Sequence, residues 1–259
     1  MKLKIPSILK SRLSSRQKKS IRSFLTELRT FGRGNNLDKL AEIYQTDKYG
    51  QHFYTPHYSR HFKHLKYKKV KVLEIGVGGY ENPDEGGNSL RMWRRYFPFG
   101  KIYSIDIHEK SCHNEKRIKI FRGSQVDEAF LMNIMKEIKE PDIIIDDGSH
   151  LNDQVLSSFK ILFPRLKEGG IYVIEDTQTS YWKEFGGESP EDVKADTTMN
   201  FLKKLTDGLN YKEFILAGYT PSYLDQNITS LHFYHNLVFI YKGKNEEESN
   251  LVKNHQLNL

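Results

Sequence analysis

Two short apolar runs, each uncharged until its last residues, constrain this chain most. Ile143-Ile144-Ile145 leads into Asp146-Asp147-Gly148-Ser149-His150, and Ile171-Tyr172-Val173-Ile174 leads into Glu175-Asp176. Short β-branched runs of this kind predict strands buried on both faces, as in a parallel sheet covered by helices. Glu175 follows Asp147 by twenty-eight residues. As neighbours in a parallel sheet the two strands would lie about 4.8 Å apart. Their C-terminal ends would then gather Asp147, Glu175 and Asp176 around one point, with His150 one turn further along. Three carboxylates without a thiolate suit a hard divalent ion such as Mg²⁺. A nearby imidazole suits a general base.

The surrounding sequence repeats the alternation. Strands are predicted at 70–78, 101–107, 117–123, 141–146 and 171–176. Helices are predicted at Ser89–Tyr96, Val126–Ile138, Gln154–Leu166 (closed by Gly169-Gly170) and near Val193–Leu205. Shorter helices are expected over Leu37–Tyr44 and from Pro56. The stretch ITSLHFYHNLVFIYK reads as a β-hairpin turning near His235-Asn236. The fold class is therefore α/β, a doubly wound and mostly parallel seven-stranded sheet with a C-terminal antiparallel hairpin. Ligands in such sheets bind beyond the strand C-termini, at the switch point.

The net charge of +7 is local. Residues 1–34 carry ten basic residues against Glu27 alone, or +9, which leaves −2 for the rest. That distribution argues against a nucleic-acid partner, whose binding domains carry their charge on the folded surface. Within the arm, Ile21, Phe24, Leu25 and Leu28 recur at helical spacing, with Lys19, Arg22 and Arg29 elsewhere on the wheel. A basic amphipathic helix of this kind packs on its own domain, docks on a partner subunit, or lies on an anionic membrane surface. The expected organisation is an arm at 1–34, a main domain at 35–243 and a disordered tail at 244–259. A single cysteine fits a reducing compartment. No apolar run reaches the length of a membrane span, and Lys10 and Arg12 break up a signal-peptide core. The expected location is the cytoplasm, with the arm able to reach the inner face of a membrane.

Glu74-Ile75-Gly76-Val77-Gly78-Gly79 closes the first strand, where glycines allow a sharp turn and close backbone approach. The third glycine of the dinucleotide fingerprint is replaced by Glu81. Glu74 would repel a pyrophosphate and attract an ammonium or sulfonium. Asp106, ending the second strand, is placed to accept from two ribose hydroxyls. These features favour S-adenosylmethionine over NAD. Asp146 is open between a neighbour of the metal ligands, a cofactor contact and a backbone support. Cys112-His113 lies in a charged loop without further ligands. Tyr181 and Trp182 follow the acidic pair and suit either a sugar face or ordinary packing. His52 and His57 border the substrate or pack; His232 reads as structural.

Six segments, LAEIYQTDKYGQHFYTPHY, LEIGVGGY, GGNSLRMWRRYFP, IYSIDIHEK, DDGSH and IEDTQTSYW, run in order from about residue 37 to 182. On these the chain resembles the class I S-adenosylmethionine-dependent methyltransferases. Within them it is similar to the metal-dependent macrocin and mycinamicin sugar O-methyltransferases. The resemblance implies Mg²⁺ ligation by Asp147, Glu175 and Asp176, with His150 as base. It implies a cofactor lined by Glu74, Gly76, Gly78, Asp106, Ser124, Gln125 and Asp146, with Thr46, Asp47 and Lys48 reaching over it. The implied reaction is O-methylation of a sugar hydroxyl in a glycoside or glycan. A homo-oligomer is compatible with it. Three alternatives stay open on the residues: a Mg²⁺-dependent catechol-type methyltransferase, an NAD-dependent oxidoreductase, and a non-catalytic cofactor-binding protein of the same fold.

Overall fold

A computed structural model describes residues 14–32, 34–253 and 256–257. The first thirteen residues of the basic arm lie outside that set. Most of the described arm is α1 (Ser15–Thr30), opened by a capping box in which Ser14 and Gln17 exchange side-chain and backbone hydrogen bonds. Its one acid ties it to the domain. Glu27 accepts from the Tyr44 hydroxyl at 3.0 Å and from Arg94 at 2.6 Å. Phe24 and Leu28 remain largely exposed. No helix among the described residues is long and apolar enough to cross a membrane.

Two short helices follow, α2 (Leu37–Tyr44) and α3 (Thr55–Phe62), the latter with Pro56 in its first turn. Next come β1 (Lys71–Ile75), α4 (Asn88–Tyr96), β2 (Lys101–Asp106), β3 (Ile118–Arg122), α5 (Glu128–Ile138), β4 (Ile143–Asp146), α6 (Asn152–Leu162) and β5 (Ile171–Glu175). The chain ends in α7 (Thr198–Leu209), α8 (Tyr223–Asn227), β6 (Ile228–Tyr234) and β7 (Leu237–Lys242), then a small pairing of β8 (Val252–Lys253) with β9 (Gln256–Leu257). The seven-stranded sheet has the order β3-β2-β1-β4-β5-β7-β6. β1 to β5 are parallel, and β7 is antiparallel to both of its neighbours.

Strand periodicity splits the core. Val72, Ile102, Ile143, Ile145 and Val173 face one side with α2, α3 and α4. Leu73, Ile75, Ile105, Ile144 and Ile174 face the other with α5, α6 and α7. Every one of these strand residues is nearly inaccessible. β1 sits between β2 and β4, so the strand order reverses there, and the crevice at its C-terminal end is the ligand position for this topology.

Helix boundaries differ from the sequence expectations for local reasons. α7 starts at Thr198, not Val193, because Thr197 caps Asn200 N–H. The Asn200 amide also binds the carbonyls of Asp192 and Ala195 and so fixes the preceding loop. α5 starts at Glu128, capped by Asp127. α6 ends at Leu162, and Pro164 turns the next residues into a single 3₁₀ turn. Gly169-Gly170 turns into β5 instead of closing the helix. Beyond Lys244, Asn245 donates to the carbonyls of Leu209 and Asp225.

Gly76 is where sheet geometry leaves no room. Its φ is +97°, and a Cβ there would stand 2.2 Å from the Asp147 carbonyl oxygen. Gly76→Ala should therefore lower unfolding free energy by ~3 kcal/mol, combining backbone strain with a backbone clash. Urea denaturation checks this; a loss below about 1 kcal/mol would show that the β1 and β4 ends can move apart.

Candidate active site

Parallel register sets the acidic cluster. Ile75 of β1 pairs with Asp146 of β4, and Asp146 pairs with Ile174 of β5. Asp147 and Glu175 therefore leave the same edge of the sheet side by side. Two backbones beyond that edge are held in the left-handed region, His150 at φ 58° and Asp176 at φ 54°. Such conformations are uncommon outside glycine and cluster where a side chain must be aimed. They bring His150 Nε2 to 3.6 Å from Asp176 Oδ2 and 4.0 Å from Asp147 Oδ1.

Possible ligand atoms fall into two sets, each within 4.8 Å. One set is Asp147, His150 and Asp176; the other is Glu74, Asp147 and Glu175. The expected triad of Asp147, Glu175 and Asp176 is thus spread over two overlapping sets that share Asp147. Burial pushes Asp147 and Glu175 up from ordinary carboxylate pKa values, against the pull of Lys48. Asp176 goes the other way. Burial would raise it, but the Tyr54 hydrogen bond and the His150 and His52 rings outweigh that and lower it.

The segment Lys48–Tyr58 closes over these acids. Lys48 Nζ lies 2.6 Å from Glu175 Oε1, 2.7 Å from Asp147 Oδ2 and 3.3 Å from Glu74 Oε1. Burial opposes the ammonium, but the three carboxylates dominate and raise its pKa well above that of free lysine. The Tyr58 hydroxyl donates to Glu175 at 2.5 Å, and the Tyr54 hydroxyl donates to Asp176 at 2.6 Å. His52 Nε2 stands 3.9 Å from Asp176. The sequence placed Lys48 over the cofactor; the fold places its ammonium among the acids. Tyr54 and Tyr58 were missed, because only folding shows that their hydroxyls reach carboxylates more than 100 positions away. Of the neighbouring expected residues, Thr46 takes the Lys48 N–H at 3.1 Å, while Asp47 is exposed.

The glycine turn lies beside this cluster. Gly78 has φ +78° and open space where a Cβ would stand. The turn returns on itself, with Gly87 N–H donating to the Val77 carbonyl at 2.7 Å. Lys110, 1% exposed, clasps it by donating to the carbonyls of Asn82 and Glu85. Cys112 donates to Pro83 O, and a His113 ring nitrogen approaches the same carbonyl. This pair therefore braces a loop. Glu74 is fully buried, accepts from Ser89 through Oε2 and leaves Oε1 without a hydrogen bond. Burial raises its pKa to about 7 despite Lys48. A buried carboxylate oxygen that accepts no hydrogen bond, with only the Lys48 ammonium beside it, fits a further cationic ligand.

The other expected cofactor residues are already engaged. Asp106 accepts from Val77 N–H through Oδ2 and from His108 N–H through Oδ1, which leaves each oxygen one further lone pair. Ser124 Oγ accepts from Val126 N–H. Gln125 is buried; its carbonyl takes Ser149 N–H and its amide reaches Asp146 and Ser158. Asp146 is 1% exposed and accepts from Ser158 at 2.5 Å and Tyr172 at 3.3 Å. Gln125 and Asp146 thus support the loop that carries Asp147 and His150. Tyr181 and Trp182 stay about half-exposed. Two surface clefts, of about 410 and 390 Å³, include none of the clustered acids.

No family model matches the chain. Individual relatives do. Mycinamicin VI 2''-O-methyltransferase of Micromonospora griseorubida is 46% identical over 214 residues, 82% of this chain. Demethylmacrocin O-methyltransferase of Streptomyces fradiae is 45% identical over the same span. The chain belongs to the macrocin and mycinamicin sugar O-methyltransferase family. It spans about half the length of these family members, 54% of each. The MycE methyltransferase of the mycinamycin biosynthetic pathway, solved with Mg, S-adenosylhomocysteine and mycinamycin VI, superposes with a TM-score of 0.79. That match covers 82% of this chain and 55% of MycE. The family fold therefore accounts for the sheet and the helices packed on it.

Proposed function

We propose that this chain catalyses S-adenosylmethionine-dependent, Mg²⁺-dependent methylation of a sugar hydroxyl in a glycoside or glycan. One observation carries the reading: Asp147, Glu175, Asp176 and His150 converge at one sheet edge, beside a glycine turn backed by a Glu74 oxygen that accepts no hydrogen bond. The donor set fits both groups. Carboxylate oxygens of Asp147, Glu175 and Asp176 suit Mg²⁺, and Glu74 suits a sulfonium or ammonium. When bound, the two groups supply an activated methyl and positive charge at the acceptor oxygens.

The chain's own residues do the rest. Gly76 and Gly78 let backbone approach the cofactor, and Asp106 has lone pairs left for a ribose. His150 takes the hydroxyl proton as the acceptor oxygen attacks the methyl carbon. The new O–C bond forms as the C–S bond breaks, and sulfur leaves as a neutral thioether. One positive charge is lost at sulfur, and one appears on the imidazole. Asp176 and Asp147, both facing its Nε2, stabilise its protonated form. Tyr54 and Tyr58 hold Asp176 and Glu175 in place. Tyr54→Phe should weaken Mg²⁺ binding roughly tenfold, as loss of a ligand's outer hydrogen bond does. Calorimetry with Mg²⁺ measures it, and unchanged affinity would separate Tyr54 from the metal.

Glu74 gives a pH signature. With its pKa raised to about 7, its neutral form is favoured by the fold. That contribution to stability is complete below the ordinary glutamate range and is lost as pH rises through about 7. The ionised form is the one that attracts a sulfonium. Preference for S-adenosylmethionine over neutral-sulfur S-adenosylhomocysteine should therefore grow between about pH 6 and 8, and stay flat in Glu74→Gln. A wild-type preference independent of pH would remove Glu74 from the cofactor.

The function itself is tested by methyl transfer to sugar vicinal diols and to phenolic diols, with and without chelator. Chelator-sensitive transfer to sugars supports the proposal. Transfer to phenols alone favours the catechol-type reaction, and cofactor binding with no transfer to either favours a non-catalytic protein.

A further inference from the structure

The site contains one more cation-binding arrangement than the reaction uses. Glu74, Asp147 and Glu175 form an inner set of three carboxylates, each able to offer an oxygen within 4.8 Å of the others. The outer set, Asp147, Asp176 and His150, has two carboxylates and an imidazole. A hard divalent ion prefers the set with more charged oxygens, which is the inner one. An ion there would use up Glu74, the residue left for the cationic cofactor. It would also place two positive charges beside the sulfonium.

We propose that the Lys48 ammonium plugs the inner acidic set, so that the divalent ion is kept to the Asp147 and Asp176 carboxylates, and Glu74 Oε1, which accepts no hydrogen bond, stays available to the cofactor. The proposal rests on the metal and cofactor reading given above and assigns Lys48 a positioning role within it. Lys48 Nζ already stands 2.6, 2.7 and 3.3 Å from the three inner carboxylates. The ammonium donates to Asp147 and Glu175 and stands beside Glu74 as an ion pair without a hydrogen bond. With the three acids ionised, its single charge leaves the inner group net negative, so a sulfonium is still attracted. Lys48 engages Oδ2 of Asp147 and Oε1 of Glu175. Asp147 Oδ1, on the His150 side, remains for the outer ion.

The plug is fixed in place. The Lys48 side chain is 1% exposed. Its N–H donates to Thr46 Oγ1, and its carbonyl accepts from Tyr54 and Thr55. Withdrawing it would strand buried carboxylates without a counter-ion.

The test uses the full chain and Mn²⁺, counted by electron paramagnetic resonance, with S-adenosylhomocysteine binding followed by calorimetry. Wild type should bind one Mn²⁺, and Glu74→Gln should leave that affinity within about twofold, because Lys48 keeps the ion away from Glu74. Lys48→Met should open the inner set. It should gain a second Mn²⁺, and Mn²⁺ should now weaken S-adenosylhomocysteine binding by about tenfold. Lys48→Arg should behave as wild type. One ion in Lys48→Met, bound as in wild type, would overturn the plug while leaving the metal site standing. So would a tenfold loss of Mn²⁺ affinity in Glu74→Gln alone, a measurement that needs no Lys48 variant to fold. A wild-type chain that binds no Mn²⁺ overturns both this role and the metal reading.

Discussion

His150→Ala should reduce turnover by about 10²- to 10⁴-fold, the range for a lost general base, while S-adenosylhomocysteine binding stays intact. The split follows from position. His150 faces Asp147 and Asp176 at 3.6–4.0 Å, whereas Glu74, Gly76, Gly78 and Asp106 lie at or just beyond the C-terminal ends of β1 and β2. A sugar hydroxyl holds its proton tightly at neutral pH, so attack on the methyl needs an acceptor for it. His52 also flanks Asp176, at 3.9 Å, and is the one described imidazole placed to substitute. Single-turnover rates for His150→Ala, His52→Ala and the double variant decide the matter. Full activity in His150→Ala would mean that another group is the base.

Asp147→Asn should have an effect of similar size by a different route. Asp147 is the residue common to both ligand sets, so its loss weakens every arrangement of the ion. Mg²⁺ affinity should fall by more than about 100-fold, beyond the loss expected for an outer hydrogen bond. Activity should fall with it and recover in part at high Mg²⁺. His150→Ala should show no such recovery. A metal titration of activity in both variants separates ligand from base; equal recovery in the two would mean that the roles are wrongly divided.

What the sequence made legible follows the physics of each feature. Strand runs such as Ile143-Ile144-Ile145 declare themselves, because burial on both faces demands continuous apolar residues. Their terminal carboxylates then share an edge once the strands are parallel neighbours. The glycine turn was legible because only glycine tolerates its backbone angles. Lys48 was legible as a site residue but not in its contacts. Its partners Asp147 and Glu175 lie 99 and 127 positions away, and no local pattern encodes such a meeting. Tyr54 and Tyr58 look like core aromatics, and only their hydroxyl ends reveal otherwise. Asp146 and Asp147 are adjacent and chemically alike, yet strand alternation sends one carboxylate to Ser158 inside and the other to the acidic edge. Position within the pleat, not residue type, gives them different work.

The most direct test of the whole account is calorimetric titration of S-adenosylhomocysteine, with and without Mg²⁺, into wild type and Asp147→Ala. The account predicts cofactor binding in both proteins and a Mg²⁺ binding heat in wild type that disappears in the variant. Absence of cofactor binding, or a Mg²⁺ heat unchanged by Asp147→Ala, would contradict it.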